Sequence, residues 1–200
     1  MRLDGKNIGK SYGSGQWLFR HIDFHLESGE TAGLIGPSGC GKSTLSRILA
    51  GYERPDEGEV LLDGRPVPER GFRPVQLVFQ HPERAVNPRW TVGRTLSEAV
   101  EPLPELLDAL GIKSSWLSRW PGELSGGELQ RICIARALAP QTKLLIADEM
   151  TTMLDPVSQA QIWHTVLGLA AERGMGLLVV SHDRSLVNRI CDRVIDMTEL

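Results

Sequence analysis

The sequence predicts an α/β fold, a mainly parallel sheet flanked by helices, carrying a short α-helical lobe. Three observations predict it. In the last third, short apolar runs alternate with segments of helical periodicity, the pattern of parallel strands covered on both faces. Residues 31–35 form an apolar run that ends in a glycine-rich stretch and leads into a helical pattern. Residues 92–120 are rich in Leu, Ala and Glu but are punctuated by Pro102, Pro104 and the following Pro121, which breaks them into short helices.

Taken in order, Ile22, Phe24 and Leu26 alternate with polar residues, as in a strand with one buried face. The run 31–35 reads as a strand that stops at Gly36. Leu45, Ile48 and Leu49 then recur at helical spacing, and Gly51 is placed to end that helix. Residues 60–62 and 75–79 read as strands between Gly- and Pro-containing turns. After the lobe come a helix over 126–139, a strand at 144–147, a helix over 157–172, a strand at 177–180, a helix over 184–190 and a strand at 194–197. Ligands of such sheets sit beyond the carboxyl ends of the strands. One domain is expected over 1–200, with its core in 1–80 and 140–200 and the lobe in 81–139.

Composition narrows the class. With 41% hydrophobic and 24% charged residues the chain can bury a core. A net charge of −3 gives no polycation, so nucleic acid is not an expected partner. Cys40, Cys133 and Cys191 are an odd number without CxxC spacing, which argues against a disulfide framework or zinc site and for a reducing cytosol. The start at Met1 lacks the apolar stretch of a signal peptide, and no run is long enough to span a bilayer.

Gly36-Pro37-Ser38-Gly39-Cys40-Gly41-Lys42-Ser43, followed by Thr44, fits G-x-x-x-x-G-K-[ST]. The spacing lets successive backbone N–H groups wrap a phosphate chain, with the next helix pointing its positive end at the same anion. Lys42 would neutralise the β- and γ-phosphates, and the Ser43 hydroxyl would hold Mg²⁺. By chance the four fixed positions arise in about 1% of chains this long, and here a strand precedes them and a helix follows. An ATP site is expected. Cys40 lies inside the loop, so a thiol reagent is expected to inactivate the protein and ATP to protect it.

Leu124-Ser125-Gly126-Gly127-Glu128 has capping-box spacing between Ser125 and Glu128, with Leu129, Ile132, Cys133 and Ala137 following at helical intervals. Capping alone does not explain two adjacent glycines, each costing about 1 kcal/mol if interior. Beside a phosphate loop they suggest close approach of backbone N–H groups to an anion. Residues 144–147 are an apolar strand running into Asp148 and Glu149, and a buried carboxylate is expensive unless paired with a cation.

The phosphate loop together with LSGGE and Leu129-Gln130-Arg131 resembles the ATP-binding cassette (ABC) ATPases over essentially the whole chain, with the motifs in that family's order. The resemblance implies a P-loop NTPase core of the ABC type, with an antiparallel β part beside the parallel sheet. It implies that Asp148 orients Mg²⁺ and that Glu149 is the general base for the attacking water. Gln80 matches the glutamine that meets Mg²⁺ and that water, and His182 the histidine that contacts the γ-phosphate. Tyr12 is placed like the aromatic that stacks on adenine, and Asp155 matches a segment that crosses a dimer interface. It also implies a head-to-tail dimer, homomeric or with a paralogue, in which LSGGE of one subunit closes over the ATP of the other. Taken alone, Asp155 would simply cap the next helix, Tyr12 would pack, and His21, His25, His81 and His164 are read as structural.

Gln80-His81-Pro82, Asn87-Pro88-Arg89 and Thr91-Val92-Gly93 resemble the peptide/nickel branch of ABC importers. That branch implies separate membrane-spanning permease subunits, an external substrate-binding protein, and a peripheral place on the cytoplasmic face of the membrane. The cargo would be a peptide, nickel or a metal chelate. Three departures stand out: Met150 where many members have proline, a short helical lobe, and an end at Leu200 without the branch's C-terminal extension. An exporter subunit is the nearest rival. A soluble ABC ATPase acting on ribosomes or DNA is disfavoured by the single cassette and the lack of sustained heptads. A non-catalytic nucleotide binder is disfavoured because Lys42, Gln80, Asp148, Glu149 and His182 are all present.

Overall fold

The computed structural model describes residues 1–13, 15–68, 71–98 and 104–200. Two sheets interleave in sequence and share one core. β1 (Arg2–Ser11), β2 (Trp17–Glu27), β4 (Glu57–Leu62) and β5 (Arg65–Pro66) form an antiparallel sheet of order β2-β1-β4-β5. β3 (Thr31–Ile35), β6 (Val75–Val78), β7 (Leu144–Asp148), β8 (Gly176–Val180) and β9 (Arg193–Asp196) form a parallel sheet of order β6-β7-β8-β3-β9. The helices are α1 (Lys42–Leu49), α2 (Val92–Leu96), α3 (Pro104–Ala109), α4 (Gly126–Ala137), α5 (Pro156–Arg173) and α6 (Arg184–Ile190).

Every residue of β7 is buried, and its side chains alternate between two cores. Leu144 and Ile146 join Leu45, Ile48 and Leu49 of α1 and Leu3, Ile8, Ile22 and Leu26 of the antiparallel sheet. Leu145 and Ala147 join Ile132 and Ile134 of α4, Ile162 and Val166 of α5, and Val92, Leu96, Leu106 and Trp116 of the helical region. A central apolar strand therefore reads as an unbroken run because both its faces are dry. Truncation of a side chain there, such as Ile146→Ala, removes about 2–5 kcal/mol of stability.

The elements end where local chemistry dictates. Gly51 takes φ 74° and its N–H bonds the Ile48 carbonyl, so α1 ends as expected. Ser125 and Glu128 close a reciprocal capping box on α4, and Asp155 caps α5 by accepting from the Val157 and Ser158 N–H groups. The helix expected over 126–139 stops at Ala137, and the last strand begins at Arg193 rather than residue 194. Pro104 opens α3 and Pro121 opens a single 3₁₀ turn, while Pro102 lies outside the described residues.

β1 has no readable alternation because it is irregular. Its pairing with β2 shifts register between Gly5 and Ile8, where Asn7 and His21 take φ of 49° and 61° and their side chains bond at 2.8 Å.

Candidate active site

The parallel register fixes which residues meet. Val78 pairs with Ala147, and Asp148 with Val180. The residues just beyond these pairs, Gln80, Glu149 and His182, therefore emerge together at the carboxyl ends of β6, β7 and β8, beside the loop that follows β3. An open cleft of about 500 Å³ gathers Tyr12, Leu18, Ser38, Gly39, Gly41, Lys42, Ser43, Thr44, Gln80, Glu149 and His182.

The glycine-rich loop is held by its own lysine. Lys42 is buried, and its Nζ donates to the carbonyls of Gly36 (2.8 Å) and Pro37 (2.9 Å), with Cys40 Sγ at 3.9 Å. Gly41 takes φ 104°, and a Cβ there would stand 2.7 Å from the Phe19 ring and 3.1 Å from Leu18, so the position requires glycine twice over. Leu18 and Phe19 come from the antiparallel sheet. Sequence reading did not single them out, since nothing in the motif pointed across to β2.

Asp148 is 4% exposed, and burial pushes its carboxyl above the usual range while the Ser43 hydroxyl, donating at 3.1 Å, pulls the other way. Glu149 lies close by and adds to the upward push. A buried carboxylate, a hydroxyl and the Gln80 amide are hard oxygen donors of the kind Mg²⁺ takes. Among the described residues no cluster of three His, Cys, Asp or Glu stands ready to hold a metal.

Glu149 receives Gln80 Nε2 at 3.3 Å on one carboxylate oxygen and meets His182 Nδ1 at 3.1 Å on the other. Its backbone sits at φ 47°, a left-handed conformation that glutamate rarely takes and that concentrates at functional positions. The turn is locked by the Glu149 N–H bonding Val180 O and by Thr152 donating to Glu149 O. Met150 turns inward and is buried in the core. The carboxylate thus faces the cleft with a hydrogen-bond partner on each side, a geometry able to accept a proton from water.

Tyr12 is exposed, and its hydroxyl donates to Glu53 at 2.8 Å; Arg47 ties Glu53 to the same group. This network joins the end of β1 to α1. Nothing in the sequence pointed to Glu53 or Arg47, which share no motif with Tyr12.

Ser125, Gly126, Gly127, Glu128 and Asp155 do not line the cleft. Helix geometry leaves the N–H groups of Gly126 and Gly127 without intrahelical acceptors. Ser125 Oγ accepts from Glu128 N at 3.3 Å, and the Ser125 backbone and hydroxyl together hold the Glu128 carboxyl below its usual range. The two glycines differ. A Cβ at Gly127 would come within 2.9 Å of Leu154, so packing alone favours glycine there. At Gly126 the nearest atom, Met153 Sδ, would be 3.4 Å away, an ordinary contact, so packing gives no such reason.

Comparison with known proteins bears on the family and the fold. Residues 19–152 match the family model described as ABC transporter. The chain is 41% identical to the nickel import ATP-binding protein NikE of Escherichia coli (strain K12), over 91% of this chain and 75% of that one. It is 43% identical to the protein of the same name from Rhodospirillum rubrum, over 87% and 70%. The fold is similar to the dimeric structure of MJ0796, a bacterial ABC transporter cassette (TM-score 0.82, 28% identity, 97% of this chain and 93% of that chain). It is also similar to a dimeric post-hydrolysis state of that cassette bound to ADP and Pi (TM-score 0.84, 27% identity, with the same coverage).

Proposed function

The chain belongs to the ABC transporter family, and from that premise we propose that it is the ATP-hydrolysing subunit of an importer for a small solute. One observation carries the catalytic half of this reading: the register of the parallel sheet gathers Lys42, Ser43, Gln80, Glu149 and His182 around one cleft. The phosphate loop from Gly36 to Thr44 grips the triphosphate through its N–H groups and Lys42. Tyr12 offers its ring to the adenine. Ser43, Asp148 and Gln80 are the residues that would hold Mg²⁺, which when bound would neutralise charge on the phosphates. Glu149 accepts the proton of the attacking water, Gln80 and His182 fix its orientation, and His182 reaches the γ-phosphate.

The donors at Ser125, Gly126 and Gly127 stand outside this cleft, which supports a head-to-tail pair. In it, each nucleotide lies between one phosphate loop and the partner's LSGGE, with Asp155 near the contact. The partner is a second copy or a paralogue. Among the described residues no helix is long and apolar enough to cross a membrane. A separate permease carries the solute, fed by an external binding protein. The subunit works at the cytoplasmic face. An open groove of about 750 Å³ that includes Tyr52, Phe72, Gln76, Glu98 and Arg136 lies beside the Gln80 segment and offers the permease a surface. The names of the relatives favour nickel among the candidate cargoes, with peptides and metal chelates of the same branch beside it.

Glu149→Gln tests the reading. It keeps nucleotide affinity, lowers turnover by about 10²–10⁴-fold, and accumulates an ATP-bound dimer visible by light scattering. Turnover at the wild-type rate in this variant would remove Glu149 as the base.

A further inference from the structure

Gln130 lies five residues beyond Ser125 on α4 and is 1% exposed. Its neighbours on the same helix face, Cys133, Ile134 and Ala137, are buried and apolar. An amide in such a place is costly unless partnered. Gln130 Nε2 donates to the carbonyl of Phe79 at 3.1 Å, whereas Oε1 has no partner among the described residues. The orientation is set by the carbonyl, which only accepts, so a flipped amide would oppose two oxygens. One turn later Cys133 Sγ meets the Pro82 carbonyl at 3.7 Å. Helix α4 therefore holds the chain on both sides of Gln80, the residue that bonds Glu149.

We propose that Gln130 is a positioning residue for ATP hydrolysis. By clamping the Phe79 carbonyl, it ties the placement of Gln80 against Glu149 to the placement of α4. The glycine-rich start and Gln130 lie little more than one turn apart on the same helix. A displacement of that start on meeting a partner's nucleotide is therefore carried to Gln80. A site needing only a filled core would do better with Met or Leu, which bury no side-chain oxygen without a partner. The inference rests on the reading of Gln80 as part of the hydrolytic site and adds to it the residue that sets its position.

The test measures kcat, KM and nucleotide Kd with Mg-ATP, together with melting temperature, for Gln130→Met, Gln80→Ala and the double variant. Gln130→Met keeps the length of the side chain and removes the donor. Its kcat is expected to fall about 10-fold with Kd unchanged, and the same change made on Gln80→Ala is expected to cause no further loss. An unchanged kcat, an equal loss in both backgrounds, or a loss that disappears on cooling below the melting transition would overturn the proposal. If Gln80→Ala alone turns over normally, the reading of Gln80 falls and takes this inference with it. If Gln80→Ala is slow and the losses multiply, only the Gln130 link fails.

Gln130→Glu supplies a second readout should the methionine variant fold poorly. Protonated, its carboxyl donates to Phe79 O; ionised, it cannot. The ratio of its kcat to that of the wild type is therefore expected to fall as pH rises from about 6 to about 9, since burial raises a carboxyl's pKa into or toward that range. A ratio that stays flat overturns the proposal.

Discussion

The strand-end cluster and the start of α4 are both proposed to meet phosphate, yet they are finished to different degrees. At the strand ends, side chains from four separate segments already pair: Ser43 with Asp148, and Gln80 and His182 with Glu149. At the start of α4, Ser125 and Glu128 satisfy only one another, and none of the segment lines the cleft. Sheet register can assemble the first because all its parts lie on one rigid edge. No register joins the second to it. A donor surface left open beside a complete base and anchor is what a site shared between two copies requires.

The contrast sharpens most at Gly126, where a side chain meets only an ordinary contact. Gly126→Asp places a like charge where the partner's triphosphate is proposed to dock. Turnover should fall by about 10²–10³-fold, the scale of losing an oxyanion donor, while nucleotide binding by the monomer and melting temperature hardly change. Stopped turnover with normal binding, read by phosphate release and fluorescent-nucleotide titration, supports the division of labour. Loss of nucleotide binding in the monomer would break it, because the two regions would then act on the same ATP within one chain.

Asp148→Asn probes the other region and separates stability from chemistry. Turnover is expected to fall about 100-fold, and the nucleotide-free protein should melt higher at neutral pH. The folded protein holds the Asp148 proton more tightly than the unfolded chain does, because burial raises the carboxyl. The stability linked to that proton is therefore full below the unfolded carboxyl's pKa and is lost as pH rises through the folded one. The gain of the asparagine variant should accordingly shrink in acid. A variant that melts lower at neutral pH would mean that the ionised carboxylate stabilises the fold.

The mildest perturbation is chemical. Burial holds the Cys133 and Cys191 thiols protonated, pushed up to about 11 and about 12, so neither competes for a thiol reagent at neutral pH. Modification should fall on Cys40, beside Lys42 in the phosphate loop, and should inactivate the protein unless ATP is present. Equal labelling of Cys40 with and without ATP, measured by peptide mass spectrometry, would place the nucleotide elsewhere.

Much of the strand-end cluster was legible in the sequence because a parallel sheet aligns strand ends, and each strand there is a mainly apolar run followed by a polar residue. Gln80 and Glu149 meet for that reason alone. The glycine-rich loop was legible because its spacing is a demand of backbone geometry. What escaped were long-range constraints on backbone and packing. Phe19 against Gly41, Leu154 against Gly127 and Gln130 under Phe79 join segments that no local period relates. The irregular pairing of β1 hid a whole strand, since a shifted register erases the alternation by which strands are read.

The left-handed backbone at Glu149 has a practical consequence for anyone evolving this protein. Such a conformation costs about 1–3 kcal/mol for an ordinary residue, and glycine would relieve it. A library sorted for folding or expression alone should therefore discard this glutamate early and, with Glu149 as the proposed base, enrich robust, inert cassettes. Only a screen that counts released phosphate would keep it.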